Sequence, residues 1–428
     1  MQLSTCRQEL FGEERWSALR DLDPLHHGKI LAMILAGGRG GRLHPLTQQR
    51  AKPAVPFGGI CRLIDFVLSN MINSGISQMC VLTQHKAHSL MQHLQQGWSA
   101  DWPNGPFVMM AAPRIPGTGY RGTADAVYQN VDVVRRAQPD LVAVFGADHV
   151  YCMDVGQMIQ YHLEKAAEVT VATIPMPVSQ CLQFGVASVD DGWRIRRFEE
   201  KVPDPTRIPG RPDQALVSMG NYIFNADVLL EELEQDAHDN ESRHDFGGDM
   251  LPRLCGSRRV YAYDFRRNGI PGSERPTDYW RDVGTVETYY HACMDLINPF
   301  SHLDISNAKW PLRSAGYHGL PARVLGGVYG RAGCVENSLL GNSSVVAGGY
   351  VRESVIGQNV RILEGAVVEE SVILGDVVIE EGVRVHKAII DQGNVIRAGQ
   401  RIGYDQDEDA SRYYVDKSGV VVLPYASL

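Results

Sequence analysis

The chain has 428 residues, of which 44% are hydrophobic and 21% charged, ordinary values for a folded protein of two or three domains. A formal net charge of −9 argues against a broad nucleic-acid or anionic-membrane surface, so an anionic ligand must be held by local cations. Eight cysteines with no C-x-x-C pair argue against a zinc site or a disulfide framework and point to a reducing compartment, the cytoplasm.

Residues 1–29 mix charged and apolar side chains and read as a structured or frayed extension. No apolar run near the N-terminus exceeds roughly seven residues, too short for a secretory core or a membrane span. A strand is predicted over 30–36, and it empties into a glycine-rich loop. The whole stretch 30–59 reads ILAMILAGGRGGRLHPLTQQRAKPAVPFGG. Glycines let backbone N–H groups approach phosphate oxygens, and Arg39, Arg42 and Lys52 supply the positive charge that adjacent phosphates require. A P-loop is excluded because no Lys-Ser/Thr pair follows the last glycine, and Leu43 breaks the dinucleotide fingerprint G-x-G-x-x-G.

Beyond that loop, further strands are predicted over 79–83, 141–146, 169–174 and 222–224. Helices are predicted over 62–73, 85–97, 124–136, 154–165 and 285–296. The 124–136 helix carries Val127, Val131 and Val134 on one face, with Thr123 as its N-cap. This alternation predicts a mostly parallel sheet covered on both faces, with ligands beyond the carboxyl ends of the strands, where the glycine loop and Asp148 fall. A Pro- and Gly-bearing linker over 301–325 separates this domain (30–300) from a third region, 326–428. There, 338–353, 354–370, 371–387 and 388–403 repeat a small residue followed by two aliphatics every 16 or 17 residues. Such short coils bury their aliphatic ladders only by stacking, which predicts a parallel β-helix.

The string GGRGGRL, then PLT, then AKPAVPFGG resembles the signature of sugar-1-phosphate nucleotidyltransferases. YRGTADAV (120–127), GADHVY (146–151), FEEK (198–201), SMGNYIF (218–224), HDFGGDMLP (244–252) and YWRDVGT (279–285) narrow it: the chain resembles the bacterial ADP-glucose pyrophosphorylases. The resemblance implies a Rossmann-like α/β catalytic domain followed by a left-handed parallel β-helix. It also implies the joining of ATP to glucose 1-phosphate, with pyrophosphate released, for glycogen synthesis. A homotetramer is expected, with phosphorylated metabolite effectors bound between the two domains.

Residue by residue, the resemblance assigns Mg²⁺ to Asp148 and Asp282, and catalysis to these with Arg39 and Lys52. Read alone, an Asp at a strand end is most often a cap. Carboxylates with substrate phosphates are nevertheless what Mg²⁺ prefers. Lys201 would meet the phosphate of glucose 1-phosphate and Glu200 the sugar hydroxyls, although FEEK by composition reads as a solvated charged loop. Tyr120, Gly185 and Ser218 fall at further sugar positions, and Gly37, Gly38, Gln84 and Gly122 complete the expected substrate-binding set.

Departures from the family bear on regulation. Val202 stands where Pro is usual after the lysine. Gln49 replaces a Lys and Pro56 a His that help well-studied enterobacterial members bind fructose 1,6-bisphosphate, and the sequence ends VVVLPYASL where those members carry a basic tail. Arg50, Arg62 and Lys387 remain as effector-phosphate candidates, so a monophosphate effector is expected instead. Three alternatives stand beside this reading. A bifunctional N-acetylglucosamine-phosphate uridylyltransferase would need a longer β-helix. A catalytically silent regulatory subunit would not need the retained charged residues. A relative using another NTP differs only in pocket shape.

Overall fold

The computed structural model describes residues 30–59, 61–98, 107–114, 119–274, 276–315 and 319–426. The 1–29 extension and Cys6 lie outside them. Four parallel strands form the heart of the first domain: β1 (Ile30–Ala36), β2 (Gln78–Thr83), β3 (Phe107–Ala111) and β4 (Leu141–Gly146), in the spatial order β3-β2-β1-β4. Ile34 sits opposite Val81 on one side and Phe145 on the other. Side chains alternate between two covered faces. Ala32, Ile34 and Ala36 join a core with Val67, Leu68, Leu90 and Ile159. Leu31 and Met33 join another with Val127, Val134, Leu229 and Leu254. Burial on both faces is why β1 is an unbroken apolar run.

Outside this heart the sheet is mixed, not parallel. The Arg211–Asn225 strand runs antiparallel to β4 and to the Val169–Pro177 and Gly185–Val189 strands, and Val260–Asp264 runs parallel to Val169–Pro177. The strand expected over only 222–224 is thus fifteen residues long. Gly220, at φ +70°, accompanies a register shift between Ser218 and Tyr222 that hides the strand's period-2 pattern.

Several predicted helix bounds change for identifiable reasons. The 124–136 helix is two helices, Thr123–Tyr128 and Val131–Ala137. Asn130 breaks it by donating from its side chain to the Ala126 carbonyl and the Tyr120 hydroxyl, competing with the helical ladder. Thr123 is not the N-cap. Gly122 holds that position, and the Thr123 hydroxyl instead donates to Asp245 and accepts from the Phe246 N–H. The 85–97 helix begins only at His88, because Lys86 sits at φ +46°. Asp154 and Thr285 do cap their helices, each accepting a backbone N–H.

The span read as a linker packs on the first domain: Leu303 and Trp310 are buried, and the Ser314 hydroxyl donates to the buried Asp65. A coil of three parallel sheets follows, and its first strand, Arg323–Leu325, lies inside that span. Val346, Ile362, Ile379 and Ile396 stack in register on one sheet, while Ile356, Ile373 and Ile390 stack on another. This β-helix docks on the first domain through an apolar seam in which Val372, Leu374 and Ile389 meet Phe57, Phe66 and Tyr289.

Candidate active site

The carboxyl ends of β1 and β4 open into a cleft of about 750 Å³. Every residue that the sequence reading assigned to catalysis or substrate binding lines it, whereas Arg50, Arg62 and Lys387 do not.

One wall is the glycine loop. Gly40 takes φ +61°, and a Cβ there would stand 2.9 Å from the Lys52 Cβ, so the loop can close over Lys52 only with glycine at that position. Gly37 lies against Gln84, and Gly38 has open space around it. Arg42 donates to Gln183 Oε1 at 3.2 Å and Arg39 to His85 Nε2 at 3.4 Å.

At the floor, the Lys52 ammonium lies 2.9 Å from Asp148 Oδ2 and 3.0 Å from Asp282 Oδ1. Asp148 follows β4, and Asp282 ends a short strand (Trp280–Asp282) that pairs antiparallel with His149–Tyr151. That pairing brings together two carboxylates 134 positions apart in the chain. Burial acts to raise the Asp148 carboxyl, but Lys52 and His149 outweigh it and hold it well below the usual carboxylate range. Burial likewise acts against the Lys52 charge, and the two carboxylates overcome it and raise its pKa.

The sugar-phosphate wall lies opposite. Glu200 ends the Ile195–Glu200 strand, so FEEK is largely strand rather than solvated loop; its adjacent charged residues, with no period-2 alternation, disguised an edge strand. Lys201 follows at φ +53°; its side chain is 58% exposed, and its ammonium meets Glu200 Oε1 at 2.6 Å. A Cβ on Gly185 would collide with Phe198 and with the Glu200 carboxylate, and one on Gly122 with the His244 carbonyl. The Tyr120 hydroxyl accepts from Asn130, and burial pushes its phenol up. The Ser218 hydroxyl accepts from the Gly220 N–H.

The sequence reading missed His149 and Trp280 as site residues. His149 Nε2 lies 3.5 Å from Asp148 and 4.0 Å from Asp282; its ring packs 5.1 Å from Trp280, and its Nδ1 is buried without a partner among the described residues. Asp245 and Gly247 also line the cleft. The signal was present, because all four sit inside the strings GADHVY, HDFGGD and YWRDVGT.

Asp148, His149 and Asp282 can each offer one ligand atom within 4.8 Å of the others. Lys52 already places one positive charge between the two carboxylates, so the floor is built around a cation. Its oxygen donors fit a hard divalent ion.

A family model described as nucleotidyl transferase matches residues 31–298, and one described as GlmU-like, C-terminal hexapeptide matches 320–423. Curated relatives named glucose-1-phosphate adenylyltransferase align over nearly the whole chain. The protein of that name from Thermus thermophilus is 50% identical over 405 residues, 92% of this chain and 98% of its own length. Those from Deinococcus radiodurans and Mycolicibacterium smegmatis are 45% and 44% identical, each over 92% of this chain and at least 97% of their own. This chain belongs to the glucose-1-phosphate adenylyltransferase family. The hexapeptide match also gives the C-terminal coil its class, a left-handed β-helix.

Proposed function

We propose that this protein transfers the adenylyl group of ATP to glucose 1-phosphate, giving ADP-glucose and pyrophosphate for glycogen or another α-glucan. The observation that carries the reading is the Lys52–Asp148–Asp282 cluster set between the glycine loop and the Glu200–Lys201 wall. A sugar-phosphate oxygen attacks the α-phosphorus; the bond to the bridging oxygen of the β-phosphate breaks, and pyrophosphate leaves with that electron pair. The attacking phosphate is already an anion, so no side chain has to remove a proton. The barrier is repulsion between two anions, met by orientation and fixed positive charge.

The glycine-loop backbone with Arg39 and Arg42 holds the departing phosphates. Lys201 neutralises the sugar phosphate, and Glu200 orients the sugar. Lys52 sits where charge accumulates. A Mg²⁺ ion held by Asp148 and Asp282, with His149 beside them, would neutralise phosphate charge and align the two substrates.

We infer a homotetramer in the cytoplasm. Val328 and Tyr329 on the first β-helix coil are 93% and 91% exposed, which supports contact between copies. A phosphorylated metabolite effector would bind beside Arg62 and Lys387. Pyrophosphorolysis tests the core of the reading: ADP-glucose with pyrophosphate and Mg²⁺ must yield ATP and glucose 1-phosphate. No ATP from the folded protein would overturn it.

A further inference from the structure

The turn that carries Lys52 is gripped from outside the cleft. Arg50, two residues earlier, is 6% exposed and points into the β-helix. Its Nη2 lies 2.5 Å from both oxygens of Asp391, whose side chain is fully buried. Its Nη1 donates to Gln392 Oε1 at 3.0 Å, and the guanidinium lies 5.4 Å from the centre of the Tyr425 ring. Asp391 is fixed in turn: it follows the Ala388–Ile390 strand, and its N–H donates to the Leu423 carbonyl.

On the other side, Ala51, Lys52 and Ala54 are buried, and the Ala54 and Val55 N–H groups close a tight turn on the Ala51 and Lys52 carbonyls. Such a turn has little slack, so a displaced Arg50 displaces Lys52. Holding the domains together does not require this pair. The apolar seam already does so, and a buried ion pair adds little stability over apolar side chains of similar volume. What the pair supplies is direction.

We propose that Asp391 acts as a built-in anion that sets the position of Lys52, making Arg50 a positioning residue for nucleotidyl transfer. The β-helix thereby reaches into the active site through one carboxylate. This rests on the reading of Lys52 as a catalytic group. Without Asp391 the seam would hold an uncompensated guanidinium, with Arg62 close by; burial and Arg50 both depress the Arg62 guanidinium. Such a cavity should take a small carboxylate in place of the missing side chain.

The test is Asp391→Ala in the full chain, assayed at saturating substrates with a parallel thermal melt. A shift of Lys52 by a fraction of an ångström should lower kcat about 10- to 100-fold, with the KM for glucose 1-phosphate nearly unchanged. Sodium formate should restore kcat in the variant and leave the parent protein unaffected, while sodium chloride at equal ionic strength should not. A purely structural role would let formate raise the melting temperature without restoring kcat, and that result overturns the proposal. So does parental kcat in the folded variant. Should Asp391→Ala not fold, the isosteric Asp391→Asn decides: a fall in kcat supports positioning, and parental kcat rejects it. Lys52→Ala separates the two levels. If it is fully active, the catalytic reading of Lys52 fails. If it is inactive while Asp391→Ala is active, only the positioning proposal fails.

Discussion

The Lys52 ammonium lies 2.9 Å from Asp148 Oδ2 and reaches Asp282 by the same nitrogen, so a protein cation already stands between the two carboxylates. A divalent ion and Lys52 therefore compete for the same oxygens, and ion binding should push Lys52 toward the phosphates. Lys52→Met should bind Mn²⁺ about 10-fold or more tightly than the parent, since a charge-assisted contact of ~1.5–3 kcal/mol is removed. Its kcat should nonetheless fall. Titration by electron paramagnetic resonance, without substrate, reads the affinity directly; equal or weaker binding would show that Lys52 and the ion do not compete.

Asp148→Asn and Asp282→Asn should each lower kcat by more than about 100-fold if, as proposed, each supplies a charged ligand for an ion that neutralises the phosphates. Steady-state rates at saturating Mg²⁺ check this. Near-parental turnover in either folded variant removes that residue from the metal site.

Lys201→Ala should act on one substrate only. Its ammonium is exposed to the cleft beside Glu200, on the wall opposite the glycine loop. Loss of a phosphate contact worth ~1.5–3 kcal/mol should raise the KM for glucose 1-phosphate about 10- to 150-fold, with the KM for ATP nearly constant. An equal rise in both would contradict the assignment.

Fructose 1,6-bisphosphate should activate weakly or not at all. Gln49 and Pro56 supply no cation, and Arg50, one of the three remaining candidates, is paired with Asp391. Lys387 donates to the Ser418 carbonyl and Arg62 to the Ser89 carbonyl, so each of these cations also has a partner within the fold. Activity titrated against the bisphosphate and fructose 6-phosphate separates the cases, and strong activation by micromolar bisphosphate would count against this reading.

The residues that line the candidate site were legible because they lie in contiguous strings whose chemistry is local: glycines with arginines, or an Asp at a strand end. The β-helix was legible because its coils repeat. Three kinds of feature were not. Edge strands such as Ile195–Glu200, with charged pairs at 196–197 and 199–200, lack a period-2 pattern and mimic loops. The break at Asn130 depends on which acceptors its side chain finds, and Tyr120 is ten residues away. The Arg50–Asp391 pair joins positions 341 residues apart, and no periodicity or motif marks either one as a partner. The same Arg50 read from sequence as a free cation for an effector, when its charge is already matched within the fold.

The most direct test of the central claim is to supply glucose 1-phosphate and Mg²⁺ with ATP, UTP, CTP or dTTP in turn, and to quantify the nucleotide sugar and pyrophosphate formed. ADP-glucose should appear with one equivalent of pyrophosphate, and turnover with ATP should far exceed that with the other three. A nucleotide sugar made preferentially from another triphosphate, or none from any of them, would contradict it.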